Sequence, residues 1–108
     1  MTYDSRMDPE CIPLCDALNA LPGIETWESC CGHTTSHFRI YFSADKIESL
    51  KPITWAIYHR RNRWNLEVSC INHSGWNIYF MLEGLPGLFK EADEIAVELG
   101  EWPGAENA

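Results

Sequence analysis

Two thiols and an imidazole lie within four consecutive positions of the chain, in the segment Ser-Cys-Cys-Gly-His at 29–33. Thiolate sulfur and imidazole nitrogen are ligands that tetrahedral zinc prefers, and Gly32 has no Cβ to obstruct an approaching ligand. A second Cys-x-x-His pair lies at the end of another predicted strand, so two strand ends together offer a Cys2His2 set. The sequence therefore predicts a zinc site, with candidate ligands Cys30, Cys31, His33, Cys70 and His73.

Hydroxyl groups flank the same turn and suggest a different ligand. The hydroxyl and backbone N–H groups of a Ser/Thr-rich turn around a glycine can form a nest that binds an anion. In that case the turn would hold a phosphate, a carboxylate or a nucleotide. The residues predicted to contact such a ligand are Ser29, Gly32, Thr34 and Thr35.

A thiolate at Cys30 or Cys31 beside His33 would also place a nucleophile next to a base. Residues this close in a turn more often point in different directions than meet, and no third group that would orient the base is evident. The sequence favours a binding protein over an enzyme, and no catalytic residue is predicted.

The other cysteines bear on the compartment of the protein. Cys11 and Cys15 fall on the apolar stripe of the first predicted helix, where packing in the core is the expected role. Five unevenly spaced cysteines do not form the paired framework of a secreted domain. No apolar run approaches the roughly 20 residues that cross a bilayer, and no signal-peptide pattern begins the chain. We expect a cytoplasmic protein with no membrane contact.

The charged residues are unevenly distributed. The chain carries 16 acidic and 8 basic residues, for a formal charge of −8. Arg60, Arg61 and Arg63 form a basic cluster, whereas residues 83–108 hold seven acids against Lys90 alone. A net negative surface gains little from releasing the counterions of nucleic acid, so we expect no binding to duplex DNA and a basic protein as any partner.

Four aromatic residues, Trp27, Tyr41, Trp76 and Tyr79, fall in or beside predicted strands. Aromatic side chains offer flat surfaces on which a nucleic-acid base can stack, but at strand spacing they more often belong to the core or to the surface of a sheet. The basic cluster could likewise contact RNA phosphate or serve the helix dipole. Both alternatives stay open at the level of sequence.

The apolar pattern predicts the order of the elements. Asp8 and Pro9 are typical of a helix start, with Asp8 as the cap and an end near Leu21, although Pro13 favours a start near Ile12. Alternating residues predict strands at 25–30, 38–42, 64–70 and 76–82, the last two joined as a hairpin.

Helical segments separate and follow these strands. Ser43 is a candidate cap for a helical stretch over 44–60 that Pro52 interrupts, and a last helix presents Leu88, Ala92, Ile95 and Leu99 on one face. The fold class predicted is α+β, a four-stranded mainly antiparallel sheet with helices packed on one face in the order α-β-β-α-β-β-α. Residues 1–108 are expected to form a single domain, with 101–108 as a loose tail.

Three segments resemble a family of small uncharacterised proteins common in phages and prophages: LNALPGIETWESCCGH at 18–33, FRIYF at 38–42, and FMLEG with EADEIA within 80–96. The resemblance implies a phage or mobile-element setting and marks the Cys-Cys-Gly-His turn as the family's signature. It also implies an alternative function, an inhibitor of a host defence nuclease of the CRISPR type. Such an inhibitor would act by protein contact through its acidic face, and any zinc would be structural.

The first third of the chain is also similar to the tRNA wybutosine-synthesising methyltransferase of the third step. That family carries Ser-Ser-Cys-Ser-Gly-Arg after a strand, where this chain has Glu28-Ser-Cys-Cys-Gly-His33. The family's arginine is replaced by His33, which removes a permanent clamp for phosphate or carboxylate. The resemblance implies an RNA-modifying enzyme as a second alternative.

Overall fold

The computed structural model describes residues 8–72 and 77–103, with side chains described except at 69–72 and 77–78. The α-helices are α1 (Ile12–Asn19), α2 (Lys51–Ile57) and α3 (Phe89–Gly100), and the strands are β1 (Ile24–Cys30), β2 (Phe38–Ala44), β3 (Trp64–Asn72) and β4 (Asn77–Gly84). Short 3-10 turns precede α1 and α2, follow α2, and connect β1 to β2. The predicted fold class and order of elements are confirmed.

The four strands form one sheet in the order β1-β2-β4-β3, and every neighbouring pair is antiparallel. One face of the sheet is buried because apolar residues recur at every second position, as they do at Phe38, Ile40 and Phe42 in β2. The helices cover this face and complete one core. The opposite face carries polar and aromatic side chains, which is common for antiparallel sheets.

The helix boundaries follow the two prolines. The first α-helix begins at Ile12, so Pro13 lies in its first turn, where its missing N–H removes no hydrogen bond. Pro52 occupies the same place in α2, after a 3-10 turn over Ile47–Leu50. Ser43 lies in β2 rather than before a helix, so its predicted capping role is wrong.

A polar pair fixes α1 to β1 near an irregularity in the strand. The side chain of Asn19 accepts a hydrogen bond from the backbone N–H of Thr26 at 2.9 Å and donates one to the Thr26 hydroxyl at 2.8 Å. The register of β1 against β2 shifts between Thr26 and Glu28, which is a β-bulge. As a result Trp27 and Glu28 are both exposed, and the alternation of β1 reverses beyond the bulge.

Two arginines of the basic cluster, Arg60 and Arg63, pair with the acidic last helix, whereas Arg61 is exposed. The side chain of Arg60 is only 7% exposed, donates to the carbonyl of Ala56 at 2.8 Å and binds the Glu98 carboxylate. Arg63 binds Glu91 with its Nε 2.9 Å from Oε2. The segregation of charge along the sequence therefore becomes an intramolecular set of ion pairs between α3 and the turn after α2.

Replacing Glu98 should test how much this buried pair stabilises the fold. We expect Glu98→Gln to lower the free energy of unfolding by about 1.5–3 kcal/mol, because it removes the nearest charged partner of the buried Arg60 guanidinium and leaves Glu91, whose Oε1 is 3.6 Å from Nε, as the next. Glu94→Gln is the matched control, since Glu94 is 48% exposed and 4.0 Å from Arg60, and should change stability by less than about 0.5 kcal/mol. Urea denaturation measures both; equal effects would contradict the assignment.

The same pair makes stability depend on pH. The hydrogen bond from Arg60 holds the pKa of Glu98 below its ordinary value of 4.5, against the opposing effect of burial. The contribution of Glu98 to the free energy of unfolding is therefore fully present above pH 4.5. It is lost as the pH falls through the lowered pKa that Glu98 has in the folded protein. The stability difference between the wild type and Glu98→Gln should shrink over that range.

No helix in the described part of the chain has both the length and the apolar character that crossing a bilayer requires. Of the predicted tail, residues 104–108 lie outside the described residues. Trp102 is described, and its ring lies 5.3 Å from that of Trp55 on α2.

Candidate metal site

The connection between β1 and β2 adopts an unusual backbone conformation. Three consecutive residues, Gly32, His33 and Thr34, have φ values of 77°, 51° and 74°. This left-handed region is uncommon for residues other than glycine and persists where the surrounding structure enforces it, often at functional sites.

Gly32 is required by the backbone rather than by an incoming ligand. A Cβ at this position would lie 2.7 Å from the carbonyl oxygen of His37, so a side chain would collide with the other end of the turn. From the sequence, we interpreted the missing Cβ of Gly32 as room for an approaching ligand. The structure instead places Gly32 in a buried position where the turn closes on itself.

This closed turn brings Cys31 and His33 together with a third residue, Asp8. Their potential ligand atoms all lie within 4.8 Å of one another. The Cys31 sulfur is 3.7 Å from Nδ1 of His33, and Nε2 of the same ring is 3.9 Å from Oδ1 of Asp8. These two contacts use different nitrogens of His33, and an imidazole binds one ion through only one of them. Ligand atoms around a tetrahedral zinc ion are about 3.3–3.6 Å apart, so the three groups, which lie within 4.8 Å, would have to draw together by about 1 Å to hold such an ion.

Sequence reasoning missed Asp8 because the pair Asp8-Pro9 is typical of a helix cap. Its carboxylate caps no helix; it accepts a hydrogen bond from the backbone N–H of Cys31 at 2.9 Å. That hydrogen bond holds the pKa of Asp8 below its ordinary value, so a carboxylate is present beneath the turn at neutral pH. Asp8 and Cys31 are 23 positions apart, so no pattern in the neighbouring sequence indicates that they are in contact.

Cys31 is buried, and its thiol is not activated. Burial raises the pKa of Cys31, which outweighs the lowering effect of the hydrogen bond from the His33 backbone N–H. A nucleophilic cysteine needs a lowered pKa. The raised pKa therefore argues against a nucleophilic role. A metal ligand must also be a thiolate, so the case for a cation site rests on the convergence of Cys31 with Asp8 and His33 and not on this pKa.

Cys30 lies apart from this group. It is exposed, whereas the neighbouring Cys31 is buried, because adjacent side chains near the end of a strand project to opposite sides of the sheet. The sulfur of Cys30 accepts a hydrogen bond from the N–H of Gly32 at 3.4 Å. Its predicted role as a metal ligand remains a prediction.

Cys70 belongs to the second predicted Cys-x-x-His pair, with His73. The Cys70 side chain and the whole of His73 are outside the described residues. The backbone register does place Cys70, which pairs with Tyr79 in β4 and is thus level with Ser43 and Glu25. That row is at the opposite end of the sheet from the β1–β2 turn, and β1 and β3 are opposite edge strands. The backbone of Cys70 is therefore at the other end of the sheet from Cys30 and Cys31.

An anion has few donors in this turn. The N–H groups of Gly32 and His33 donate to the cysteine sulfurs, and those of Thr35 and Ser36 donate to the Gly32 carbonyl. Thr34 and Thr35 are exposed, and Ser29 is half-buried on the inner side of β1. With these donors already used and the Asp8 carboxylate beneath them, the predicted anion nest is less well supported than a cation site.

Cys11, at the end of the 3-10 turn before α1, and Cys15, within α1, are buried in the core, as predicted. Cys11 and Cys15 are fully buried, and burial raises their pKa values to about 12 and about 11. Both thiols are therefore protonated at neutral pH and behave as small apolar side chains.

The fold and this turn together define a small α+β protein with a candidate three-ligand cation site. No family model matches the chain, and neither a curated protein nor a solved structure matches it.

Proposed function

We propose that this protein binds zinc through Asp8, Cys31 and His33. The observation that carries the proposal is the convergence of a carboxylate, a thiol and an imidazole within 4.8 Å on a turn whose backbone is held in a strained conformation. Sulfur, nitrogen and oxygen ligands in this combination suit zinc better than calcium or magnesium, which prefer oxygen alone.

Three protein ligands leave a fourth tetrahedral position. His33 is 73% exposed, so the site opens to solvent on that side. Water or a small anionic ligand, such as a carboxylate or a phosphate, would complete the coordination. In this proposal the anion predicted from the sequence binds to the metal ion and not to the backbone N–H groups of the turn.

The site could equally be structural. Asp8 precedes α1 and Cys31 follows β1, so an ion bound between them would join two segments distant in sequence and stabilise the folded state. In both cases the protein is a binding module, and no residue is assigned a catalytic role.

The zinc content of purified protein tests the proposal. In protein never exposed to chelator, we expect about one zinc per chain by elemental mass spectrometry, and its removal should lower the melting temperature. His33→Ala should release most of the metal without unfolding the chain, because His33 is exposed.

The control is His59→Ala. His59 is also exposed, at 61%, and its Nε2 lies 3.8 Å from a carboxylate oxygen of Glu98, so it matches His33 in exposure and in its carboxylate neighbour but not in the contact of His33 with the Cys31 thiol. Zinc near zero in the wild type would refute the proposal. If His33→Ala retains zinc and Cys70→Ala loses it, the metal site is instead at the Cys-x-x-His pair formed by Cys70 and His73.

The alternative of a nuclease inhibitor acting through its acidic face has weaker support. Glu83, Glu91 and Glu98 are bound to Arg39, Arg63 and Arg60 respectively, so three of the seven acids counted in the last quarter of the chain are already neutralised. The phage setting and the RNA-modifying alternative rest on resemblance alone.

A further inference from the structure

The face of the sheet away from the helices carries three rows of outward side chains. Neighbouring strands place Glu25, Ser43 and Tyr79 in the first row, Glu28, Tyr41, Met81 and Glu67 in the second, and Cys30, Arg39, Glu83 and Asn65 in the third. We call this surface the open face. The zinc proposal, through Asp8, Cys31 and His33, makes no use of this surface.

Trp27 is the most prominent residue of the open face. The bulge in β1 adds it to the outward side beside Glu28, and it is 52% exposed. Its ring lies 5.5 Å from that of Tyr41 and 5.2 Å from that of Tyr79. Bulges often re-aim side chains next to binding sites, and here the bulge sets a large aromatic ring on top of two others.

A groove of about 500 Å³ adjoins this aromatic cluster. It is lined by Glu25, Trp27, Ser43 and Tyr79. The groove therefore combines aromatic rings, a hydroxyl and a carboxylate within one concave area, which is the combination found in small-ligand and side-chain pockets.

The charge of the open face indicates which kind of partner would bind there. Glu25, Glu28 and Glu67 are exposed there. Arg39 is the cation among the three rows, and its Nε is held 2.9 Å from the Glu83 carboxylate. Among the residues that the structure describes, Glu25, Glu28 and Glu67 form no ion pair, so the aromatic cluster lies beside negative charge that no described cation compensates. Such a surface repels phosphate and attracts a cation, and the face of an indole or phenol ring adds to that attraction.

We propose that the open face docks an arginine-bearing segment of a partner polypeptide, with a guanidinium stacked on Trp27 and paired with Glu25. Arginine fits better than lysine because its planar group stacks on aromatic rings and forms two parallel hydrogen bonds to a carboxylate. A nucleic-acid base could stack on the same rings, but its phosphates would meet the three glutamates.

A synthetic peptide with arginines spaced by glycine and serine is the direct probe, used with intact wild-type protein in calorimetric titration. We expect binding that weakens with salt and falls by about tenfold in Trp27→Leu, the loss expected when a cation–π contact of about 1.4 kcal/mol is removed. Glu25→Gln should weaken binding by several-fold, and the lysine version of the peptide should bind less tightly than the arginine version.

Trp55→Leu is the matched control, because Trp55 is 40% exposed but lies on α2, on the helical side of the sheet. It should leave the affinity for the peptide unchanged. His33→Ala should also leave it unchanged, so a failure of the zinc proposal and a failure of this one are distinguishable.

Three results would overturn the proposal: equal losses in Trp27→Leu and Trp55→Leu, no loss in Trp27→Leu, or tighter binding to oligothymidylate than to the arginine peptide. If Trp27→Leu does not fold, the test uses the wild-type protein instead, and the changes in its backbone amide chemical shifts on adding the peptide are measured by NMR. Peptide-induced shifts must then centre on Trp27, Tyr41 and Tyr79; shifts centred on α3 refute the proposal.

Discussion

Leu82→Ala should lower the free energy of unfolding by about 3–5 kcal/mol, the cost of a cavity in a fully packed core. Leu82 is fully buried in the central strand β4, between β2 and β3. Neighbouring side chains on both strands and the helices above cannot collapse into the space without losing their own contacts. Urea midpoints at constant slope would measure the effect.

The cross-strand partner of Leu82 provides the matched comparison. Leu66 lies directly opposite Leu82 on the edge strand β3 and is only partly buried, so the same truncation there should cost less. Asn65 points to the open face, and Asn65→Ala should be nearly neutral. If Leu66→Ala and Asn65→Ala shift the midpoint equally, the assignment of inner and outer positions in β3 is wrong.

The alternation that defines these inner positions is visible in the sequence, and this is why the fold was predictable. Strands β2, β3 and β4 repeat apolar residues with period two, and Ile53, Ala56 and Ile57 mark the buried side of α2. These patterns depend only on which side of an element is buried. They predicted the elements and their order without any knowledge of long-range contacts.

The bulge in β1 explains why the site was only partly predictable. A regular strand would place Thr26, Glu28 and Cys30 on one side. The extra residue keeps Thr26 inside but turns Glu28 and Cys30 outward, and Cys31 is buried. No local signal marks that shift, since Thr26 is held by Asn19 of α1. Sequence could therefore propose both cysteines as ligands but could not separate them.

The pairing of the charged segments was not predictable for a similar reason. Arg60, Arg61 and Arg63 resemble a surface patch when read along the chain, because nothing local reveals that α3 returns beside them. In the folded protein Arg60 and Arg63 bind Glu98 and Glu91, and Arg61 packs on the ring of Tyr58 at 4.7 Å. Features that depend on contacts between distant segments, including Asp8 at the metal site, are those that the sequence did not predict.

Gly32→Ala adds only one methyl group, yet it should lower the stability of the protein strongly. The residue has φ of 77°, and an added Cβ would lie 2.7 Å from the carbonyl oxygen of His37 and 3.0 Å from its carbon. These are backbone atoms that cannot swing aside as a flexible side chain would. We expect a loss of about 2–4 kcal/mol from left-handed strain and overpacking together.

Gly87→Ala separates the two causes. Gly87 has φ of 81°, nearly the same conformation, but a Cβ there would meet nothing within 4 Å. Its replacement should cost only the conformational part, about 1 kcal/mol. The difference between the two variants in urea denaturation measures the collision with His37. Equal losses would show that the turn relaxes freely, and the strained backbone would then no longer support the metal site.

The same variant links the turn to the ion. If the turn must open to admit a methyl group at position 32, the Cys31 sulfur and the His33 ring move apart, because they lie on either side of that residue. Gly32→Ala should then bind zinc more weakly than Gly87→Ala, even below the melting temperature of both. Unchanged zinc affinity with reduced stability would assign the turn a structural role and locate the ligands elsewhere.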